Sequence, residues 1–321
     1  MTLFDKAGLD DAMAVVRRHL PPTPQYRWPQ LAEATGTEVW VKHENHTPVG
    51  AFKVRGGLVL LDGMKRAGTL RHIVTATRGN HGQSLAMSGA AHGVPVTIVV
   101  PEGNDPDQNA AMRSHGADLV TFGRDFQAAR EHAAKLAEEL DGWFLGPFHP
   151  ELVRGVATYA VELFDAVGEL DAVYVPIGMG SGCCGLITVR DLLGLRTEIV
   201  GVVAAAAPAY ALSFAAGTVV TTDSADTFAD GVATRVPDEE AVDIIRAGAH
   251  DVLQVSEDAI ADAARLLYRT THNVAEGAGA VALAGLLADA ERRRGQRVGV
   301  VLSGGNIAPA RLARLLDGET P

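Results

Sequence analysis

Residues 39–64 read VWVKHENHTPVGAFKVRGGLVLLDGM and contain three kinds of local pattern in succession. The run from Val39 to Lys42 is β-like, and residues 48–50 supply the proline and glycine of a turn. From Leu58 to Met64 the apolar residues recur at helical spacing. The stretch therefore predicts a strand, a turn and a helix, with Lys53 in the first turn of that helix.

Lys53 is placed where an amine can become reactive. The positive end of a helix dipole disfavours an ammonium group. Partial burial beside Phe52 would lower the pKa of Lys53 further, as an amine nucleophile requires. An isolated lysine at a helix start is usually solvated, so the role of Lys53 depends on the motifs elsewhere in the chain.

The composition is that of an enzyme with a large core. The chain has 321 residues, of which 47% are hydrophobic, and this is enough for two domains. The formal net charge of −11 argues against nucleic acid or an anionic membrane as a partner. The adjacent Cys183 and Cys184 exclude a disulfide framework and predict a reducing cytoplasm. Met1 to Asp11 is acidic and lacks the pattern of a signal peptide.

The uncharged stretch from Val200 to Thr222 raises the question of a membrane span. It consists mostly of alanine and is interrupted by Pro208 and Gly217. We therefore interpret it as a buried strand followed by a buried helix.

Short apolar runs alternate with helical patterns along the chain, which is typical of parallel sheets covered by helices. Pro/Gly-rich breaks near residues 45–50 and 146–150 divide the chain. We expect an α/β fold of two domains, each an open, mostly parallel twisted sheet flanked by helices. Residues 1–49 plus 147–321 would form the larger domain and residues 50–146 a smaller, mobile one. The further predicted strands are residues 72–76, 94–100, 119–122, 172–177, 198–204, 252–255 and 298–302. The clearest helical patterns cover residues 10–20, 28–34, 126–140 and 152–167, with two more starting at residues 80 and 106.

Residues 75–84, TATRGNHGQS, follow a predicted strand and open onto a helix. Hydroxyls, an asparagine amide and backbone N–H groups at a helix N-terminus make a site for a carboxylate. Ordinary capping by Thr77 or Asn80 explains the same residues, so this motif alone decides little.

Residues 178–182, GMGSG, lie between a predicted strand and a helix. Closely spaced glycines let backbone N–H groups surround a phosphate, although a tight packing turn is the simpler alternative. The fingerprint Gly180-x-Gly182-x-x-Gly185 also suggests a nicotinamide oxidoreductase. That class expects an acidic residue after the next strand, where residues 204–207 are all alanine, so we rank it second.

Ser303 follows the last predicted strand and Glu276 starts a glycine-rich helix. The carboxyl ends of parallel strands are where open α/β sheets bind ligands, so Ser303 can offer one hydrogen bond there. Helix capping explains either residue equally well.

The four motifs, in this order and over nearly the whole chain, resemble the serine/threonine dehydratase branch of the fold-type II pyridoxal-phosphate enzymes. The resemblance implies a fold like that of tryptophan synthase β, pyridoxal 5'-phosphate held by the larger domain, covalent binding of it by Lys53, and a homodimer. The cofactor contacts that it implies are Phe52, Lys53, Asn80, Gly178, Met179, Gly180, Ser181, Gly182, Glu276 and Ser303. Those implied for the substrate carboxylate, mainly through backbone N–H groups, are Thr77, Arg78, Asn80 and His81.

The function that the resemblance implies is that of a lyase of amino-acid metabolism. A β-hydroxy-α-amino acid of the L-threonine or L-serine type would be converted to a 2-keto acid and ammonia, with Lys53 as the base that removes the α-proton. Ser303, unlike a carboxylate, would leave the pyridine nitrogen unprotonated, which favours loss of the β-substituent. Phenylserine and 3-hydroxyaspartate are alternative substrates.

The sequence differs from relatives in the resembled family at three points, and each difference leads to an expectation. Arg78 replaces a small protic residue, and a guanidinium is a poor base, so we expect dehydration without efficient racemisation. Residues 204–210 contain no carboxylate, so we expect no metal there. The chain ends soon after Asn306, which leaves no room for a regulatory domain.

Overall fold

The computed structural model describes residues 3–321, and their strands form two separate sheets. The strands are β1 (Gln25–Arg27), β2 (Glu38–His43), β3 (Ile73–Ala76), β4 (Val96–Val100), β5 (Asp118–Thr121), β6 (Trp143–Phe144), β7 (Ala172–Pro176), β8 (Glu198–Ala204), β9 (Asp251–Val255) and β10 (Arg297–Leu302). The larger sheet has the order β1-β2-β10-β7-β8-β9, and the smaller has the order β5-β4-β3-β6. All pairs are parallel except β1 with β2.

Helices cover the faces of both sheets. They are α1 (Lys6–Arg17), α2 (Pro29–Thr35), α3 (Val54–Arg66), α4 (Asn80–His92), α5 (Pro106–Ser114), α6 (Phe126–Glu139), α7 (Pro150–Val156), α8 (Thr158–Val167), α9 (Ser181–Leu192), α10 (Ala209–Ala216), α11 (Glu239–Gly248), α12 (Glu257–Thr271), α13 (Gly277–Ala288), α14 (Ala290–Arg293) and α15 (Pro309–Leu316). Single turns of 3-10 helix lie at Glu44–His46 and Asp230–Val232.

The central strands are buried on both faces, as parallel strands between helix layers must be. In β4 and β7 every residue is buried. The predicted α/β fold with two mostly parallel sheets is therefore confirmed. All strands of the smaller sheet fall within residues 50–146, and the exact domain boundaries remain a prediction.

The stretch from β2 to α3 has the predicted order of elements. A turn of 3-10 helix follows β2, and Lys53 lies immediately before the first residue of α3. Ala51 forms an isolated antiparallel bridge with Gly304, just beyond β10. The segment that carries Lys53 is thereby attached to the edge at which the strands of the larger sheet end.

The predicted helix over residues 152–167 is wrong in one respect, because it consists of the two helices α7 and α8. The break coincides with Thr158, whose hydroxyl donates to the carbonyl of Gly155 at 2.7 Å. The same hydroxyl accepts a hydrogen bond from the buried guanidinium of Arg55. The helix is therefore interrupted where it meets a buried charge from another part of the chain.

The stretch over residues 200–222 contains β8 and α10, as interpreted from its composition. No helix among residues 3–321 has both the length and the apolar character needed to cross a bilayer.

Candidate active site

A cleft opens at the carboxyl ends of the strands of the larger sheet, against the smaller one. It is lined by Phe52, Lys53, Asn80, Pro147, Pro176, Gly178, Met179, Gly180, Ser181, Gly182, Gly231, Val232, Glu276, Ala278 and Ser303. The structure thus brings together all the residues that were predicted to contact a cofactor, although they come from distant parts of the chain. Their individual roles remain predictions.

Lys53 is partly buried at the start of α3. Burial lowers the pKa of its amine, and the nearby carboxyl of Glu276 opposes this shift. The backbone of Lys53 is held by α4, because the hydroxyl of Ser84 donates to its carbonyl at 2.7 Å. A lysine with a lowered pKa and a fixed backbone has the properties of an amine nucleophile or base.

Asn80 lies between two groups of the larger domain. Its Nδ2 donates to Oε1 of Glu276 at 2.7 Å, and its Oδ1 accepts from Nδ2 of Asn306 at 2.7 Å. Burial raises the pKa of Glu276 to about 7, against the opposing effects of Asn80 and Lys53. The cleft therefore contains a carboxyl group that takes up or loses a proton near neutral pH.

The loop over residues 178–182 is arranged as a cradle for an anion. Gly180 has φ +96° and precedes α9, whose first N–H groups have no acceptor within the helix. Hydroxyls behind the loop bond to its carbonyls: Thr234 donates to Gly178 at 3.0 Å and Tyr210 to Met179 at 2.9 Å. With these carbonyls engaged, the N–H groups remain for a bound anion.

Glycine is also required at position 178 for a steric reason. A Cβ on Gly178 would lie 2.2 Å from the carbonyl oxygen of Gly231. The two backbones therefore approach more closely than any side chain would allow.

The loop that was predicted to bind a carboxylate begins α4. The N–H groups of Asn80, His81 and Gly82 lie in the first turn, where they have no intrahelical acceptor. The N–H of Thr77 is already used, because it donates to Val99 at 3.2 Å, so only the Thr77 hydroxyl remains for a ligand.

The side chains of His81 and Arg78 lie in opposite environments. His81 is buried, and desolvation together with the charge of Lys53 lowers its pKa to about 3, so the ring is neutral. Arg78 is exposed, and among residues 3–321 its guanidinium has no hydrogen bond or ion pair. His81 can therefore contribute its backbone N–H, and the exposed guanidinium of Arg78 is available to a soluble anion.

Ser303 is buried directly after β10. Its hydroxyl donates to the carbonyl of Ala278 at 3.3 Å, a long hydrogen bond. A hydroxyl held so loosely can turn toward a ring nitrogen in the cleft.

Several residues of the site were missed by sequence reasoning. Gly231 and Val232 come from a single turn of 3-10 helix with no motif of its own. Ser84 and Asn306 stand inside recognised motifs but were given no role, and only their contacts reveal one. Tyr210 and Thr234 lie outside every motif.

A family model described as pyridoxal-phosphate dependent enzyme matches residues 16–304. The chain belongs to this family of pyridoxal-phosphate dependent enzymes. As in other members, its cofactor is pyridoxal 5'-phosphate. The match includes every residue that lines the cleft.

Individual relatives agree with the family assignment. The chain is 31% identical to an L-threo-3-hydroxyaspartate ammonia-lyase from Saccharomyces cerevisiae, over 96% of this chain and 95% of that one. It is 36% identical to an L-threonine ammonia-lyase from Geobacter sulfurreducens, over 86% and 69%. Among solved structures, a threonine deaminase from Solanum lycopersicum superposes with a TM-score of 0.91 at 26% identity, over 99% of this chain and 95% of that one.

The cleft of this family member fits its cofactor. The anion cradle over residues 178–182 suits a phosphate, and Lys53 has the lowered pKa that an amine needs to bond an aldehyde. Asn80 can donate to the hydroxyl oxygen attached to the pyridine ring of the cofactor, and Ser303 can donate to the ring nitrogen.

Proposed function

We propose that the protein is an ammonia-lyase that converts a β-hydroxy-α-amino acid of the L-threonine or L-serine type to a 2-keto acid and ammonia. The observation that carries the proposal is the placement of Lys53, with its lowered pKa, between an anion cradle and a second set of free N–H groups. The names of the most similar relatives support the same chemistry.

When bound, pyridoxal phosphate withdraws electrons from the α-carbon of an amino acid. The amides of residues 178–182 would hold its phosphate, and Lys53 would be the residue that bonds it covalently. The neutral amine of Lys53 would serve as the base that accepts the α-proton of the substrate. The same group can return a proton to the departing β-hydroxyl, which leaves poorly without one.

The N–H groups of Asn80 and His81 orient the substrate through its carboxylate. This fixes the α-carbon over Lys53, so that a single face is exposed to a base. Arg78 cannot serve as a base on the other face, so we propose that dehydration proceeds without efficient racemisation. Interconversion of L- and D-serine at a rate equal to that of dehydration would contradict this.

A substrate with a second carboxylate, such as 3-hydroxyaspartate, is the second candidate. Arg78 belongs to the predicted carboxylate loop, and its side chain is exposed, so its guanidinium is free to pair with a second carboxylate. The hydroxyaspartate ammonia-lyase relative also matches over nearly the whole length of both chains.

The test is keto-acid release over a panel of serine, threonine, phenylserine and 3-hydroxyaspartate stereoisomers. We expect turnover with at least one L-isomer and none by Lys53→Ala, with the fold of that variant intact by circular dichroism. If the second candidate is correct, Arg78→Met should lower keto-acid release from 3-hydroxyaspartate more than release from the other substrates. No keto acid from any member of the panel would contradict the proposal.

We further propose a cytoplasmic homodimer whose smaller domain, residues 50–146, moves against the rest of the chain. No divalent cation is needed in this proposal, since residues 204–210 offer no carboxylate. Loss of activity on chelation and its recovery with magnesium would contradict that part.

A further inference from the structure

Gln108 connects two lobes of the molecule, which we define as the parts built around the smaller and the larger sheet. It lies in α5, on the side of the smaller sheet, and is only partly exposed. Its Oε1 accepts from Nε2 of Gln83 in α4 at 2.7 Å, and its Nε2 donates to the backbone carbonyl of Asn306 at 3.1 Å. One amide therefore joins its own lobe to the loop after β10.

The hydrogen bonds continue from Asn306 into the cleft. The Nδ2 group of Asn306 donates both to the carbonyl of Val49 at 2.8 Å and to Oδ1 of Asn80 at 2.7 Å. Asn80 in turn donates to Glu276. A continuous chain of amides thus runs from the outer helix α5 to the side chain that faces the cofactor.

Glycines allow these amides to lie directly against the backbone. A Cβ on Gly79 would lie 2.6 Å from Oε1 of Gln108. A Cβ on Gly50, which has φ +66°, would lie 2.4 Å from Oδ1 of Asn306. The amide chain therefore contacts both backbone segments that carry the reactive groups, the one before Lys53 and the one before Asn80.

We propose that Gln108 is a positioning residue, which latches the lobe of β3–β6 onto the loop after β10 and thereby orients Asn80 in the cleft. The bond from Gln108 to Asn306 crosses between the lobes at α5, so opening of the lobes breaks it. Closure and the orientation of Asn80 are then a single event, since both depend on the position of Asn306. The consequence for turnover rests on the proposed function, whereas the latch can be measured without it.

The first test uses amide hydrogen exchange of the cofactor-free protein, with the variant Gln108→Met. Methionine preserves the length of the side chain but makes neither hydrogen bond. We expect exchange over residues 79–83 and 304–308 to accelerate on the order of three- to tenfold, which corresponds to the loss of one net hydrogen bond. The matched control is Gln127→Met, because Gln127 is exposed and, among residues 3–321, its side chain bonds only to Glu131 in its own helix.

Unchanged exchange in both segments would overturn the proposal, whatever the enzyme acts on. If Gln108→Met does not fold, Gln83→Met provides a second test, because it removes the bond that anchors Gln108 to α4 and leaves the donor of the bond to Asn306 in place. Gln83→Met should accelerate exchange less than Gln108→Met, and no acceleration would again overturn the latch.

The second test uses the cofactor-loaded enzyme. The bond from Gln108 to Asn306 forms again when the cleft closes over the substrate. Without this bond, part of the binding free energy of the substrate is used to close the cleft, so the apparent affinity falls. We expect Gln108→Met to raise KM on the order of three- to tenfold with little change in kcat. A fall in kcat at constant KM would contradict a latch, and absence of turnover in the unmodified enzyme would contradict only the proposed function.

Discussion

At the scale of single residues, the fold brings the pKa of Glu276 close to neutral pH. It is partly buried beside Lys53 and Asn80, and desolvation raises its pKa to about 7 from the ordinary value of 4.5. A neutral Glu276 can accept a hydrogen bond from the Asn80 amide without adding a negative charge to the cleft. An ionised one would stabilise the ammonium form of Lys53, which is the unreactive form.

The raised pKa predicts a pH dependence of stability in the cofactor-free protein. Below about pH 4.5 the carboxyl is protonated in both states, and between pH 4.5 and 7 only the unfolded state releases its proton. Stability is therefore lost as the pH rises through this window. Glu276→Gln keeps the bond to Asn80 and removes the titration.

The measurement is the melting temperature of both proteins from pH 5 to 8. We expect the melting temperature of the unmodified protein to fall by a few degrees relative to that of Glu276→Gln as the pH rises. A constant difference across the range would show that Glu276 keeps an ordinary pKa.

Ser84 and Ser88 offer a matched pair for the anchoring of Lys53. Both are buried in α4, and a Cβ on Gly57 would lie 2.7 and 2.6 Å from their respective hydroxyls. Only Ser84 bonds to Lys53, whereas the Ser88 hydroxyl has no partner among the described residues. We expect Ser84→Ala to lower the free energy of unfolding by about 1 kcal/mol and Ser88→Ala to leave it nearly unchanged.

Urea unfolding of the two variants checks this difference. Equal losses would mean that the hydroxyl of Ser84 contributes only packing, and that the position of Lys53 is set by its own helix.

At the scale of elements, the loop between β7 and α9 depends on groups behind it. The hydroxyl of Tyr210 donates to Met179 and accepts from the N–H of Asp238 at 3.2 Å. Without it the Met179 peptide is free to rotate and to turn its carbonyl toward the phosphate. The conformation of the loop is therefore specified partly by residues 31 positions away.

This predicts the effect of Tyr210→Phe, which keeps the ring and removes the hydroxyl. We expect the affinity for pyridoxal phosphate to fall on the order of tenfold, because the loss of two hydrogen bonds loosens the cradle. Titration of the cofactor into the stripped protein gives the affinity. Tyr268→Phe, at an exposed tyrosine, is the control and should bind normally.

At the scale of the whole molecule, a buried cluster of four charges joins distant segments around the start of α3. Arg55 bonds to Glu44 at 2.7 Å and to Glu162 at 2.7 Å, and Lys42 bonds to Glu162 at 2.8 Å. The two cations and two anions balance. Since the backbone of Arg55 lies two residues from Lys53, the cluster also fixes the start of the reactive helix.

Removing one member of such a cluster leaves charges buried without a counterion. We expect Glu162→Gln to destabilise the protein by about 3–5 kcal/mol. The control Asp141→Asn breaks an exposed pair with Arg71 and should cost less than about 1 kcal/mol. Denaturant unfolding of both variants compares the two, and equal costs would contradict the importance of the cluster.

Much of this architecture could be predicted from local patterns. The strand over residues 198–204 was predicted with its observed bounds, and α4 and α5 begin at the predicted residues 80 and 106. Apolar periodicity and caps are properties of neighbouring residues, so they survive without knowledge of the fold. The short strands β1 and β6 carry no such signal and exist only because a partner strand lies beside them.

The sequence by itself determined the α/β class and placed Lys53 and the glycine loop over residues 178–182 at junctions between elements, because glycine spacing and the alternation of strands and helices are local features. Only the tertiary structure decided how these groups meet. Asn80 and Glu276 are 196 positions apart, and Asn80 and Asn306 are 226 apart. Contacts at such separations depend on the order of strands in two sheets, which no local pattern of residues specifies.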